Sequence, residues 1–313
     1  MSARERSNVM IRVEQARWGK RRLLAQLQVP RSTYSRWRAR ELQGKQDSSS
    51  AITRVPWNRL SSPMDSLWSN KMPGKEKLQH LPEDWERALA VVAHPDDLEF
   101  GTASAVARWT SQRKQVAYLI ATKGEAGIDS IEPAIVGPIR VREEINSAQI
   151  VGVTTVEFLD YPDGVIEGGL PLRRDIALAI RKHRPDVLIT MSFESYGGLG
   201  SPTSADHRTV GLAAVDAARD ASNRWVFPEQ LGAGLQPWSG IRMVCVAASD
   251  RATHGVDVTD FLDKGVASLR AHSVYLDNLS HKIYPGTMLR SRAEEKGKLL
   301  GCRYVQAFQV FSP

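Results

Sequence analysis

Five short, largely apolar runs recur from residue 83 onward, each closed by a polar or glycine-rich loop and followed by helical periodicity. They occupy residues 88–93, 116–121, 156–159, 187–191 and 243–247. A strand with no polar face must be covered on both sides, which a one-sided sheet does not provide. Helical patterns fill residues 102–113, the stretch from Pro138 to about residue 151, residues 172–183, the segment after His207, and residues 258–272. Strand–helix units repeated at this length predict an α/β fold: a Rossmann-like, mainly parallel sheet with helices on both faces, over residues 83–313. That length is ordinary for one such domain.

The chain ahead of it differs in kind. Residues 1–45 hold twelve lysines and arginines against three glutamates, a surplus larger than the +7 of the whole protein. They read as two or three short helices broken at Val29-Pro30, the second opening on Arg31-Ser32-Thr33-Tyr34-Ser35-Arg36-Trp37-Arg38. This layout resembles a transposase-type helix-turn-helix, and its charge implies weak nucleic-acid binding. A basic helical hairpin with no target is the other reading. Residues 46–82 read as a linker, opening on a serine-rich stretch and scattering Pro56, Pro63, Pro73 and Pro82. Cys245 and Cys302 match no ligand or redox spacing. No apolar run approaches a membrane span and the start lacks a signal-peptide core, so a cytoplasmic protein with no membrane partner is expected.

The loops after the strands carry the chemistry, as the carboxyl edge of an open α/β sheet does. The first run empties into His94-Pro95-Asp96-Asp97. His94 and Asp97 are three apart across a stiffening proline, so both can face one point, while Asp96 takes another bearing. That suits two metal ligands and one free carboxylate, and imidazole with carboxylate suits zinc. Thr122 and Glu125 follow the second run, Asp163 the third, and Ser192, Glu194 and the segment to His207 the fourth. A dinucleotide-binding reading fails for want of Gly-x-Gly-x-x-Gly after the first strand.

His-Pro-Asp-Asp after an apolar strand resembles the signature of PIG-L/LmbE-like metal-dependent N-deacetylases, which act on N-acetylglucosaminyl substrates. The likeness runs from about residue 85 to the C-terminus. It implies metal binding by His94, Asp97 and His207, the last from Ser204-Ala205-Asp206-His207. It implies Asp96 as general base. Many members carry a histidine at the position of Ser204, so the proton donor to the leaving amine is missing from its usual place. Arg140, in Arg140-Val141-Arg142-Glu143, and Asp163, in Tyr161-Pro162-Asp163-Gly164, match positions that contact substrate. Arg140 paired with Glu143 on a helix surface, and Asp163 as a plain turn residue, are the competing readings. His254 and His272 match late elements and are expected to be structural.

The resemblance therefore implies Zn²⁺, or another divalent metal in the same site, and hydrolysis of an N-acetyl group on an amino-sugar-like small molecule. Ser204 is grouped with Arg140 and Asp163 as substrate-binding. The rival is a DNA-binding regulator using the domain as a non-catalytic sugar-binding module. The sequence leaves the oligomeric state open.

Overall fold

The computed structural model describes residues 77–195 and 202–313, together with residues 29, 33 and 34. Apart from those three positions, the helix-turn-helix expectation for residues 1–45 and the linker expectation for residues 46–76 lie outside the described residues. The chain divides into two units at residues 73 and 74, and the second contains the whole of the described sheet.

The described strands are β1 (Gln79–His80), β2 (Arg87–Val92), β3 (Gln115–Ile120), β4 (Thr155–Phe158), β5 (Val187–Met191), β6 (Met243–Ala247), β7 (His254–Asp257) and β8 (Val305–Phe311). They form one sheet in the order β1-β7-β8-β6-β5-β2-β3-β4. Neighbours from β6 to β4 pair in parallel, whereas β8 runs antiparallel to both β6 and β7. The helices are α1 (Asp97–Gly101), α2 (Ala103–Ser111), α3 (Pro133–Ile150), α4 (Leu170–His183), α5 (Ala205–Ser222), α6 (Pro228–Gly232), α7 (Leu262–Arg270), α8 (Ser273–Asp277) and α9 (Pro285–Leu300).

Alternation along the central strand divides the core. Ala88, Ala90 and Val92 join Trp109 of α2 and Ala148 of α3 on one face. Leu89, Val91 and Ala93 join Ile176 and Ile180 of α4 and Val210 and Ala214 of α5 on the other. Both faces of β2 are thus covered, which is why its sequence lacks a polar face. The chain runs outward from β2 through β3 to β4, then returns to the opposite flank of β2 as β5. The strand order reverses there, so the loops after β2 and β5 flank the crevice where open α/β sheets bind ligands.

Several expectations need correcting. The last residues of the expected linker belong to the sheet: β1 pairs with β7, and Leu78 and Leu81 are buried. The helix expected to start at Pro138 starts at Pro133, with Pro138 inside it. Two prolines suited to a first turn stand five apart, and the upstream one takes that place. The helix expected over 102–113 is α2, and a short helix not expected from the sequence, α1, precedes it, separated by Thr102, whose φ of −148° is not helical. The helix expected over 258–272 begins only at Leu262. No helix among the described residues is long and apolar enough to cross a membrane.

Candidate active site

The β2 chain emerges from the sheet at Ala93 and turns back on itself through Asp97. Asp97 Oδ2 accepts the backbone N–H of Ala93 at 3.0 Å and of His94 at 2.9 Å. Such charge-assisted bonds contribute about 1.5–3 kcal/mol each and fix where the carboxylate points. Its other oxygen faces His207, with Asp97 Oδ1 2.9 Å from His207 Nε2. His207 stands in the first turn of α5. Ser204 caps that helix, its Oγ accepting N–H from Asp206 at 3.2 Å and from His207 at 3.4 Å. Gly211 lets α5 approach the end of β5, since a Cβ there would meet the Met191 carbonyl oxygen at 2.6 Å.

His94 is held from two sides. Its Nδ1 faces His207 Nε2 at 3.2 Å and Asp97 Oδ2 at 3.6 Å. Its Nε2 lies 3.1 Å from Asp163 Oδ1 and 3.3 Å from Asp206 Oδ2. Those two carboxylates also tie the loops together. Asp206 accepts N–H from Gly164 at 2.7 Å and Ile166 at 3.2 Å, and Asp163 accepts N–H from Ala126 at 2.8 Å.

Two overlapping donor groups result, His94–Asp97–His207 and His94–Asp163–Asp206, each with its ligand atoms within 4.8 Å of one another. One histidine cannot serve both through the same nitrogen. Assigning the proton to Nε2 lets it donate to Asp163 and Asp206 and leaves the Nδ1 lone pair facing Asp97 and His207. A ligating histidine oriented by a carboxylate behind it is the common arrangement at metal centres. Two imidazole nitrogens 3.2 Å apart beside an ionised carboxylate converge on one point, so His94, Asp97 and His207 fit a divalent cation.

The electrostatics agree. Burial pulls His94 toward neutrality, but hydrogen bonds to Asp163, Asp206 and Asp97 outweigh it and hold the ring far above its ordinary pKa. His207 is likewise raised by Asp97 against the pull of burial. Burial would raise Asp97, yet the charges of His207 and His94 keep it well below the usual carboxylate range. In the protein alone, imidazolium protons balance charge that a bound cation would otherwise balance.

Asp96 has a different environment. It caps α1 in a left-handed conformation, φ 96°, and its side chain is buried. Burial, reinforced by the Asp97 charge and opposed by Arg140, pushes its carboxyl up to about 7. Arg140 Nη2 donates to Asp96 Oδ1 at 2.9 Å and also to the Pro95 carbonyl, while Nη1 donates to the Gly124 carbonyl at 3.1 Å. The guanidinium lies against Gly124 and Gly127, where any Cβ would collide with it. Both terminal nitrogens of Arg140 therefore donate to protein, and its Nε–H has no partner among the described residues. It does not pair with Glu143, which accepts the Val274 N–H at 2.6 Å.

All seven residues singled out from the sequence (His94, Asp96, Asp97, Arg140, Asp163, Ser204 and His207) line one cavity of about 430 Å³. Tyr275 lines it too, and no motif in the sequence points to it. Its ring lies 3.9 Å from the Arg140 guanidinium, and burial with the Asp96 charge pushes its phenol up to about 12. Asp206 is visible in sequence only as the neighbour of His207. His254 sits in β7 outside the cavity wall, bonded to Thr253. His272 is fully buried behind the site, 3.6 Å from both Glu99 and Glu144.

Residues 89–218 match the family model described as PIG-L: GlcNAc-PI de-N-acetylase. The chain is 28% identical over 236 residues to a diacetylchitobiose deacetylase of Thermococcus kodakarensis, a match covering 74% of this chain and 86% of that one. It is 29% identical over 189 residues to a 1D-myo-inositol 2-acetamido-2-deoxy-alpha-D-glucopyranoside deacetylase of Streptomyces avermitilis, covering 51% of this chain and 60% of that one. The fold is similar to that of N,N'-diacetylchitobiose deacetylase from Pyrococcus horikoshii, with a TM-score of 0.67, 23% identity, and coverage of 74% and 85%. It is also similar to a 4-carboxy-2-hydroxymuconate hydratase, GalB of Pseudomonas putida, with a TM-score of 0.60, 19% identity, and coverage of 73% and 97%.

Proposed function

Residues 89–218 are a PIG-L family domain, and from that premise we propose that this protein hydrolyses the N-acetyl group of an amino-sugar-like small molecule. His94, Asp97 and His207 hold a divalent cation, zinc being the best match to two imidazoles and a carboxylate. Asp96 is the general base. The relatives that are deacetylases of N-acetylated sugars support the reaction class. The observation that carries the reading is a free carboxylate, Asp96, in the same cavity as the three donors and kept apart from them by Arg140 at 2.9 Å.

A cation bound there supplies Lewis acidity, polarising an amide carbonyl and making a water more acidic. The rest falls to the chain. Asp96 takes the proton of the attacking water, with Arg140 fixing one carboxylate oxygen so that the other meets it. Asp163 and Asp206 keep His94 in one tautomer and one ring orientation. Ser204 serves as a helix cap, and a serine hydroxyl is far too weak an acid to protonate an amine near neutral pH. Asp96 therefore returns its proton to the leaving nitrogen, one carboxylate serving both steps. We place the reaction in the cytoplasm, in keeping with two unpaired cysteines.

The test is acetate release from N-acetylglucosamine, N,N'-diacetylchitobiose and an N-acetylglucosaminyl inositol by the zinc-loaded protein. Acetate should appear from at least one of them, with about one metal ion per chain. Metal-loaded protein that releases acetate from none of them overturns the reading.

A further inference from the structure

Asp96 bears a conformational penalty for its position: a φ of 96° is a left-handed geometry that non-glycine residues adopt only when their surroundings impose it. Two side chains of α3, four residues apart and so on one face of the helix, impose it from opposite ends. Arg140 takes the carboxylate at 2.9 Å and the Pro95 carbonyl just before it. Glu144 accepts the Asp96 backbone N–H at 3.1 Å through Oε2. The peptide and the side chain of one strained residue are thus both gripped.

Each grip has its own backing, and both backings come from one short segment. Tyr275 lies with its ring 3.9 Å from the Arg140 guanidinium. His272, three residues earlier, places Nε2 3.6 Å from the same Glu144 Oε2. Behind them Glu99 is bonded by Ser147 at 2.7 Å, closing the cluster. Arg140, Glu144 and His272 are 2%, 1% and 0% exposed. Glu144 Oε1 and both His272 nitrogens have no hydrogen-bond partner among the described residues. Such a cluster is a poor way to stabilise a fold, since apolar packing of the same volume serves as well or better.

We propose that Arg140 and Glu144, backed by Tyr275 and His272, form a positioning frame that holds Asp96 in its left-handed conformation and so aims its carboxylate into the cavity. The frame rests on the reading of Asp96 as general base. Glu144 acts through the oxygen it offers to a backbone N–H, and Tyr275 acts through its ring against Arg140 and its hydroxyl toward the Asp96 carboxylate. Neither contacts the three cation donors in this arrangement.

The experiment compares Glu144→Ala with Glu144→Gln in the full chain, on whichever N-acetyl sugar the wild type hydrolyses, with metal content measured alongside. Glu144→Ala should lower kcat by about 10²-fold, the scale of a misplaced reacting group, with KM within about threefold and metal content unchanged. Glu144→Gln, which still offers an amide oxygen to the Asp96 N–H, should recover to within about tenfold of wild type. Tyr275→Leu tests the frame at a less buried position, should Glu144→Ala not fold; it should lose kcat with metal content unchanged. An active wild type whose Glu144→Ala and Tyr275→Leu variants keep their kcat overturns the frame alone. Equal losses in Glu144→Ala and Glu144→Gln overturn the acceptor role. Loss of a bound ion in Glu144→Ala makes the cluster a metal site and overturns the proposal. A wild type inactive on every sugar removes the base, and the frame with it.

Discussion

Two clusters of histidine and carboxylate lie within one domain, and their donor chemistry is nearly the same. His94–Asp97–His207 and Glu99–Glu144–His272 each bring three donor residues within 4.8 Å. The difference is access. The side chains of His94 and His207 are 15% and 24% exposed and border the cavity, whereas those of Glu99, Glu144 and His272 are 0–1% exposed and border nothing but protein. Partners differ as well. In the open cluster both His94 nitrogens and His207 Nε2 face polar atoms, while the sealed one leaves buried nitrogen and oxygen atoms unpaired. Donor identity alone does not separate a reactive centre from a scaffold. A path for water and substrate does.

The contrast is broken or sharpened by substitutions of decreasing effect. His207→Ala removes one of three donors and should strip the metal, costing hydrolysis at least about 10³-fold, since a bound ion is worth several kcal/mol in the transition state. Metal analysis of the purified variant checks it, and full occupancy would move the site elsewhere. Asp96→Asn should cost about 10²-fold or more in hydrolysis while metal content stays at the wild-type level. A normally active asparagine variant would leave the open cluster without its base. His272→Leu, in the sealed cluster, should leave metal content untouched and change stability to urea by about 1–3 kcal/mol, the range for a buried polar group whose partners are disturbed. A fall in bound metal there would erase the distinction between the clusters. His254→Gln, outside both, should keep hydrolysis within about twofold in the acetate assay.

The parallel half of the domain is legible in the sequence because buried strands write themselves as largely apolar runs. The five runs fall on strands β2 to β6, of which the edge strand β4 is only half-buried and carries Glu157. The far edge is not. β7 is the four residues His-Gly-Val-Asp, and β8 lies antiparallel to its neighbours, so no strand–helix rhythm announces either. Within the site, residues following strands are readable because the sheet gathers its carboxyl-end loops. Tyr275 and Glu144 are not, because their partner Asp96 is 48 or more residues away and nothing in their own neighbourhoods points to it, and His272 reads only as a structural residue. The strain at Asp96 is equally silent in sequence, since aspartate is an ordinary helix cap. Arg140 is legible in position, at the cavity, while the bonds it makes to Asp96, Pro95 and Gly124 are not, because those partners lie 16 to 45 residues away in the chain.

The passage of Arg140 between Gly124 and Gly127 sets the alphabet for any attempt to redirect this cavity by directed evolution. Those two positions are closed letters, because any side chain there displaces the guanidinium and, through it, Asp96. Between them Ala126 gives the protein its backbone N–H, to Asp163, while bordering the cavity, as Phe100 does from α1 and Met191 from the end of β5. A library confined to these three positions can vary the width and polarity of the chamber while every hydrogen bond described around Asp96 stays in place.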